Sequence, residues 1–332
     1  MKEPSITVIA IAYQRKEYLN FALSSLIGQT IRKELFEIIV ITDFHVDWPI
    51  PKGINIKFLE TNIKDLGPKI ASAIELSAGN ILCFIDDDDV WMPDRLQLIY
   101  ELFSRNQRLG YYHNGWEVID ERGLRINHPI HLTARRKIQS LRQISIDPMK
   151  AKYRNIRALC QLGSDFNSSS IAIRKDIVMN QIEYLRKVKL SVDSFYFYSA
   201  LLSGYKIQVD SKVLTLYRIH VKNFSLGQSR LDNNNNPDHI VMIEMVEKNN
   251  GKNDIIRSIR FQASDIAIES FWICGIRDRI SLLKKLVNHL QYISICELKY
   301  NLLLLAFATS YLLFPDITER FYSAQYYSIP RE

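Results

Sequence analysis

The chain has 332 residues, and 43 Lys and Arg against 36 Asp and Glu leave a formal charge of +7. With 47% apolar and 24% charged residues it lies in the ordinary globular range, which excludes a disordered, collagen-like or disulfide-stapled chain. The length suits about two average domains, and the modest, dispersed basic excess names no nucleic-acid, membrane or phosphate partner by itself.

From the start, Ile6 to Ala12 is a short β-branched apolar run, as expected of a strand buried on both faces of a parallel sheet. It breaks at Tyr13-Gln14-Arg15-Lys16, which reads against a signal peptide and for a cytosolic chain. Glu17 to Gln29 places Leu19, Ala22, Leu23, Leu26 and Ile27 at helical spacing. A second strand, Phe36 to Ile41, ends in Thr42-Asp43, and a third, Ile54 to Leu59, follows the Trp48-Pro49-Ile50-Pro51 turn. After Gly67-Pro68 a helix from Lys69 to Ser77 closes at Ala78-Gly79, with glycine as the expected residue just past its end. A fourth strand, Asn80 to Ile85, runs into four aspartates.

Strands alternating with helices of about 10–15 residues indicate βαβ units on a mainly parallel, Rossmann-like sheet. Ligands bind such sheets beyond the carboxyl ends of the strands, which singles out Tyr13, Asp43 and Asp86 to Asp89. From His131 to Arg157 eight basic residues face the single acid Asp147, in a segment read as irregular or helical. Core-type sequence resumes at Ser168 to Ile173. A helix around Val192 to Leu202 and strands near Lys206 to Val209 and Val213 to Tyr217 follow. The polar breaker Asp232 to Pro237 sets the expected boundary between a domain at 1–236, carrying 131–157 as a basic insertion, and a helical region at 237–332. Leu302 to Phe314 is the most apolar window, about 13 residues where a spanning helix needs roughly 20. Cys83, Cys160, Cys274 and Cys296 lack zinc-site spacing and read as reduced core residues.

Four adjacent carboxylates, Asp86 to Asp89, repel one another and raise each other's pKa unless a cation is present. A solvated acidic turn capping the next helix would also explain them. Their place after a buried strand favours hard-oxygen ligation of Mg²⁺ or Mn²⁺, which commonly bind through carboxylates plus substrate phosphates.

Ile6-Thr7-Val8-Ile9 with Tyr13, then Phe36 to Asp43, then Ala78 to Asp94 together resemble an inverting, family 2 type glycosyltransferase with the GT-A fold. The resemblance implies a nucleoside-diphosphate sugar donor and a divalent metal. Asp86 and Asp88 would frame the metal-binding aspartate motif, Asp88 as the direct ligand, with Asp87 and Asp89 ligating or close beside the metal and Asp87 near the donor. Asp43 would receive the base or ribose, Tyr13 would pack on the base and Lys69 would approach the diphosphate. Ser191-Val192-Asp193-Ser194 resembles the acidic motif whose aspartate is the catalytic base, although many relatives carry Glu-Asp where this chain has Val192-Asp193. Tyr217-Arg218-Ile219-His220, with Asn223 beyond it, resembles a segment whose Arg holds the diphosphate and whose His completes the metal site. Phe44-His45 replaces the usual turn after the second strand, and Ile70-Ala71 replaces a frequent Arg-Asn pair.

The expected activity is therefore hexosyltransferase-like and non-processive, since no glutamine-x-x-arginine-tryptophan motif is present. The expected acceptor is a glycan, glycolipid or lipid-linked sugar. The basic 131–157 region suits a phosphate-bearing acceptor or peripheral contact at the cytoplasmic face of a membrane, and the C-terminal helices suit core packing, a homodimer interface or an interfacial helix. A catalytically silent sugar-nucleotide or glycan-binding protein and a nucleotidyltransferase are the alternatives, the latter disfavoured by the lack of glycine in Ala12 to Lys16. Nucleic-acid binding is not expected.

Overall fold

The computed structural model describes residues 5–13, 15–128, 132–140, 143–220, 223 and 238–273. Strands β1 (Ile6–Ile11), β2 (Phe36–Thr42), β3 (Ile56–Glu60) and β4 (Ile81–Asp86) pair in parallel in the order β3-β2-β1-β4. The continuous apolar runs of β1, β2 and β4 follow from burial on both faces, whereas β3, at the sheet edge, exposes Lys57 and Glu60. Val8, Ala10, Ile38 and Val40 pack with Leu19, Ala22, Leu23 and Leu26 of helix α1 (Lys16–Ile27). Ile9, Ile11, Ile39 and Ile41 pack with Ile70, Ala71, Ala73 and Ile74 of helix α2 (Leu66–Leu76) on the other side.

Helix α2 begins before the expected Lys69. Gly67-Pro68 lies inside its first turn, where a missing N–H costs nothing. Gly67 is required by close approach, since a Cβ there would stand 2.0 Å from the Leu185 carbonyl oxygen. Gly79 likewise is no left-handed helix cap: Ser77 ends α2, and a Cβ on Gly79 would lie 2.5 Å from the backbone of Ile6 and Thr7.

Beyond β4 the sheet turns mixed. Strand β5 (Val90–Trp91) leads into helix α3 (Arg95–Arg105) and the long β6 (Leu109–Ile119), which the hydropathy pattern does not reveal. The basic region folds as α4 (Leu132–Ser140), β7 (Gln143–Ile146) and α5 (Tyr153–Cys160). A 3-10 turn at Ser168–Ser170 then enters β8 (Ile171–Arg174), and short helices α6 (Lys175–Met179) and α7 (Ile182–Leu185) lead to α8 (Val192–Leu202). The two expected strands after α8 are one, β9 (Lys206–Arg218), because Gly115 of β6 lets the Ser211 bulge approach and the pairing continues past it. The order across the sheet is β3-β2-β1-β4-β8-β6-β9-β5, with β7 also on β9.

Helices α9 (Asp238–Lys248) and α10 (Asn253–Ile273) complete the described chain. Met242, Met245, Val246, Ile255, Ile256 and Ile259 share one core with Phe195 and Leu201 of α8 and with Ile9 and Ile41 of the sheet. Of the basic region's cations, Arg135 and Arg157 are buried rather than offered to solvent. Arg135 donates to the His128 carbonyl, and Arg157 stacks on Phe261 at 4.0 Å. Arg136, Lys137, Lys150, Lys152 and Arg154 are exposed, and Arg142 lies outside the described residues. Cys83 and Cys160 are free thiols, burial holding Cys83 up at about 11. Cys274, Cys296 and the 302–314 window lie outside the described residues. Among the described residues no helix is long and apolar enough to cross a membrane.

Candidate active site

The acid turn joins β4 to β5 and is stitched to both neighbouring strands. Asp87 N–H donates to the Ile11 carbonyl at 3.0 Å, and the Arg218 N–H at the end of β9 donates to Asp89 Oδ1 at 3.0 Å. Asp87, Asp88 and Asp89 are buried, so a solvated acidic turn is excluded. Asp86 is half-buried and receives the Ser168 hydroxyl at 3.4 Å. Asp86, Asp88 and Asp89 each offer an oxygen within 4.8 Å of the others, and Asp89 Oδ2 is buried with no hydrogen-bond partner.

Desolvation, then repulsion from Asp88, pushes Asp86 up to about 6. Desolvation pushes Asp87 up to about 8, against the opposing charge of Arg15. Asp89 is raised as well, by burial and then by Asp88 and Asp86. Crowded hard-oxygen donors whose charge is disfavoured until a cation arrives fit a hard divalent cation. His220 adds Nε2 at 3.0 Å from Asp88 Oδ2, and Asn223 Nδ2 donates to the same oxygen at 3.2 Å.

Arg15, which sequence reasoning passed over, is also at this site. Its guanidinium pairs with Asp87 and Asp88 at 2.5 Å each, and Nη1 stands 3.4 Å from His220 Nε2. The available signal was a cation two residues past Tyr13, at the same sheet edge. Arg218 is placed differently from its expected contact with a diphosphate. Its Nε donates to the Asp88 carbonyl at 2.8 Å and its Nη1 to the carbonyls of Asp120 and Glu121 at 2.9 and 3.0 Å. Those main-chain bonds make it a brace for the acid turn.

Tyr13 lies two residues past β1, with its N–H on Asp87 Oδ2 at 2.8 Å and its ring 45% exposed. The Lys69 ammonium lies 5.0 Å from that ring's centre, buried and without a hydrogen-bond partner. Burial lowers the Lys69 pKa, and the charge of Asp43 resists the shift. Tyr13, Asp43 and Lys69 therefore form one group. The chain after Asp43 bends without forming a helix, which leaves Asp43 at the strand end beside Lys69.

Asp193 stands in the first turn of α8, reached from β4 through the Phe84–Tyr196 ring stack, centres 4.2 Å apart. Its carboxylate accepts the Ser194 N–H at 2.8 Å and the Asn167 N–H at 3.2 Å. Asn167 adopts φ 64°, a left-handed conformation that Asn tolerates better than most residues, and turns its N–H toward the acid. Desolvation pushes Asp193 up to about 7, with Asp165 and Asp86 adding repulsion and the two N–H bonds opposing it. The acid turn, the Tyr13 group and Asp193 thus converge at the carboxyl edge of the parallel strands.

The sequence model of glycosyl transferase family 2 matches residues 7–180. Relatives include an uncharacterised glycosyltransferase of Nostoc sp., 28% identical over 35% of this chain and 37% of its own length. Another is the putative teichuronic acid biosynthesis glycosyltransferase TuaG of Bacillus subtilis, 24% identical over 39% of this chain and 53% of its own. The amylovoran biosynthesis glycosyltransferase AmsB of Erwinia amylovora is 28% identical over 33% and 39%. The chain spans about half or less of these relatives' length. Among solved structures, S. aureus TarS 1-349 in complex with UDP-GlcNAc superposes with a TM-score of 0.61 at 15% identity, covering 87% of this chain and 82% of that one. The mannosyltransferase PcManGT from Pyrobaculum calidifontis, in complex with GDP-Man and Mn²⁺, gives 0.55 at 13% identity, covering 98% and 85%. At these identities the likeness is one of fold.

Proposed function

The chain belongs to glycosyl transferase family 2 and has the GT-A fold, and on that premise we propose that it moves a sugar from a nucleoside-diphosphate sugar to an acceptor hydroxyl, with inversion at the anomeric carbon. One observation carries the reading: Asp193, pushed up to about 7, shares a sheet edge with the Asp86, Asp88 and Asp89 cluster. A base poised near neutrality is suited to taking a proton from a hydroxyl at working pH.

In this reading Tyr13 packs on the nucleobase while Asp43 and Lys69 address the base and ribose. Asp86, Asp88 and Asp89 would hold a divalent Mn²⁺ or Mg²⁺ through the hard-oxygen set described above, with the His220 Nε2 nitrogen beside them. When bound, such an ion supplies Lewis-acid stabilisation of charge on the departing diphosphate. Asp193 accepts the acceptor's hydroxyl proton as that oxygen bonds the anomeric carbon, and the bond to the diphosphate breaks on the opposite face. Arg15 adds fixed positive charge beside the same acids. The UDP-GlcNAc bound to TarS and the GDP-Man and Mn²⁺ bound to PcManGT support a metal-assisted nucleotide-sugar donor. TuaG and AmsB, named for teichuronic acid and amylovoran biosynthesis, support a growing glycan or its lipid-linked precursor as acceptor. We place the work at the cytoplasmic face of the membrane, with the exposed Arg136, Lys137, Lys150, Lys152 and Arg154 giving peripheral contact.

The test is Asp193→Asn, assayed with nucleotide-sugar donors and Mn²⁺. Turnover should fall by about 10²–10⁴, the usual contribution of a general base, while calorimetric donor affinity stays near wild type. Near-normal turnover would refute the base assignment, and donor binding without transfer or hydrolysis by the wild-type chain would leave only a binding protein.

A further inference from the structure

The position before the base is the buried, apolar Val192, so the second carboxylate near Asp193 comes from elsewhere. It is Asp165, on the turn that also presents the Asn167 N–H to the base. Ser194 ties the two segments, its N–H on Asp193 and its hydroxyl donating to the Asp165 carbonyl at 3.2 Å. Both segments are gripped from outside the 7–180 family match. Gln262 of α10 donates through Nε2 to Asp165 Oδ2 at 2.7 Å and to Ser194 Oγ at 3.1 Å, and its Oε1 accepts the Tyr198 hydroxyl at 3.1 Å. These partners use both ends of the amide and fix its orientation. Arg157, stacked on Phe261 of α10, favours the charge on Asp165. At the start of α9, the Asp238 carboxylate accepts the N–H groups of Lys189, Leu190 and Ser191 at 2.8, 2.9 and 2.8 Å.

Apolar packing alone would hold α9 and α10 against the core, and a buried polar network is costly unless every member is paired. This network converges on the few residues either side of Asp193. We propose that α9 and α10 clamp the base, with Asp238, Gln262 and Asp165 as positioning residues that fix the Asp193 carboxylate for proton abstraction. The inference rests on Asp193 being the base.

The experiment uses the full chain and three variants. Gln262→Met keeps the volume and loses the amide. It should lower kcat about tenfold, in line with the cost of slight misplacement of a catalytic group, with KM for the nucleotide sugar unchanged. Asp165→Asn keeps an oxygen for Gln262 but removes a negative neighbour of Asp193. The charged and titratable groups around Asp193 are Asp165, Asp86 and the phenols of Tyr111 and Tyr196, neutral at working pH. Loss of the Asp165 charge should therefore move the acid limb of the kcat profile to lower pH. Wild-type kcat in folded Gln262→Met, or kcat and donor affinity falling together, overturns the clamp. Should Gln262→Met not fold, an unmoved acid limb in Asp165→Asn overturns it. Asp193→Asn separates the two ideas: if it stays active the base reading falls and the clamp with it, and if it is inactive while Gln262→Met is normal only the clamp falls.

Discussion

Arg15 brings a permanent counter-ion to within 2.5 Å of Asp87 and Asp88. Any metal held by Asp88 and His220 must share those atoms with a guanidinium, and like charges close together weaken each other's binding. Arg15→Gln should therefore bind Mn²⁺ more tightly in the absence of nucleotide, by about tenfold or ~1.4 kcal/mol, measured as loss of the free Mn²⁺ signal in electron paramagnetic resonance. Equal or weaker binding by the variant would show that Arg15 does not compete. At this scale the sequence was informative about acids and less so about cations. Asp86 to Asp89 and Asp193 stand out because carboxylates at buried strand or helix ends need a reason. Arg15, Lys69 and Arg218 are defined by partners far along the chain, such as Asp88 for Arg15 and the Asp120 and Glu121 carbonyls for Arg218, and no local pattern encodes those.

Among the elements, β1, β2 and β4 were legible as near-continuous apolar runs and α8 by its Phe195 to Tyr198 and Ala200 to Leu202 stretches, whereas β6 was hidden by its own polar residues. His113 and Asn114 lie within it fully buried, His113 against the Phe166 carbonyl at 2.9 Å and Asn114 accepting from the buried Arg95 at 3.0 Å. Polar atoms that find partners inside can sit in a central strand at little cost, and they erase the hydropathy signal. Gly67 and Gly79 were legible only as turn markers, yet both serve close backbone approach. Gly67→Ala should destabilise the chain by about 1–3 kcal/mol, the usual cost of overpacking, read as a lower urea midpoint with unchanged slope. A wild-type midpoint would mean that α2 and the Leu185–Val188 backbone separate freely. Because Lys69 is two residues further on, the same variant should weaken nucleotide binding.

Over the whole molecule, the mild +7 conceals buried acids whose protonation links stability to pH. Asp193 and Asp87, raised to about 7 and about 8, keep protons that the unfolded chain has already released above its ordinary value of about 4. The folded state then binds more protons, so their contribution is full at low pH and is lost as pH rises through 7 and 8. His113, lowered to about 4 by burial, acts oppositely only below its ordinary value of about 6.5. Chelator-treated protein should therefore melt at a lower temperature at about pH 8.5 than at about pH 6.5, and Mn²⁺ should restore more at the higher pH, where its ligands are ionised. A midpoint that rises over this interval without metal would refute the account. One topological fact also bears on synthesis. Among the described residues strand β9 is the last in sequence, yet it lies between β6 and β5. Until Arg218 has been made, the Leu109–Ile119 strand has an open edge and the acid turn lacks its brace. A nascent chain holding every residue of the family match is thus an incomplete sheet whose open flank is a template for pairing with other chains.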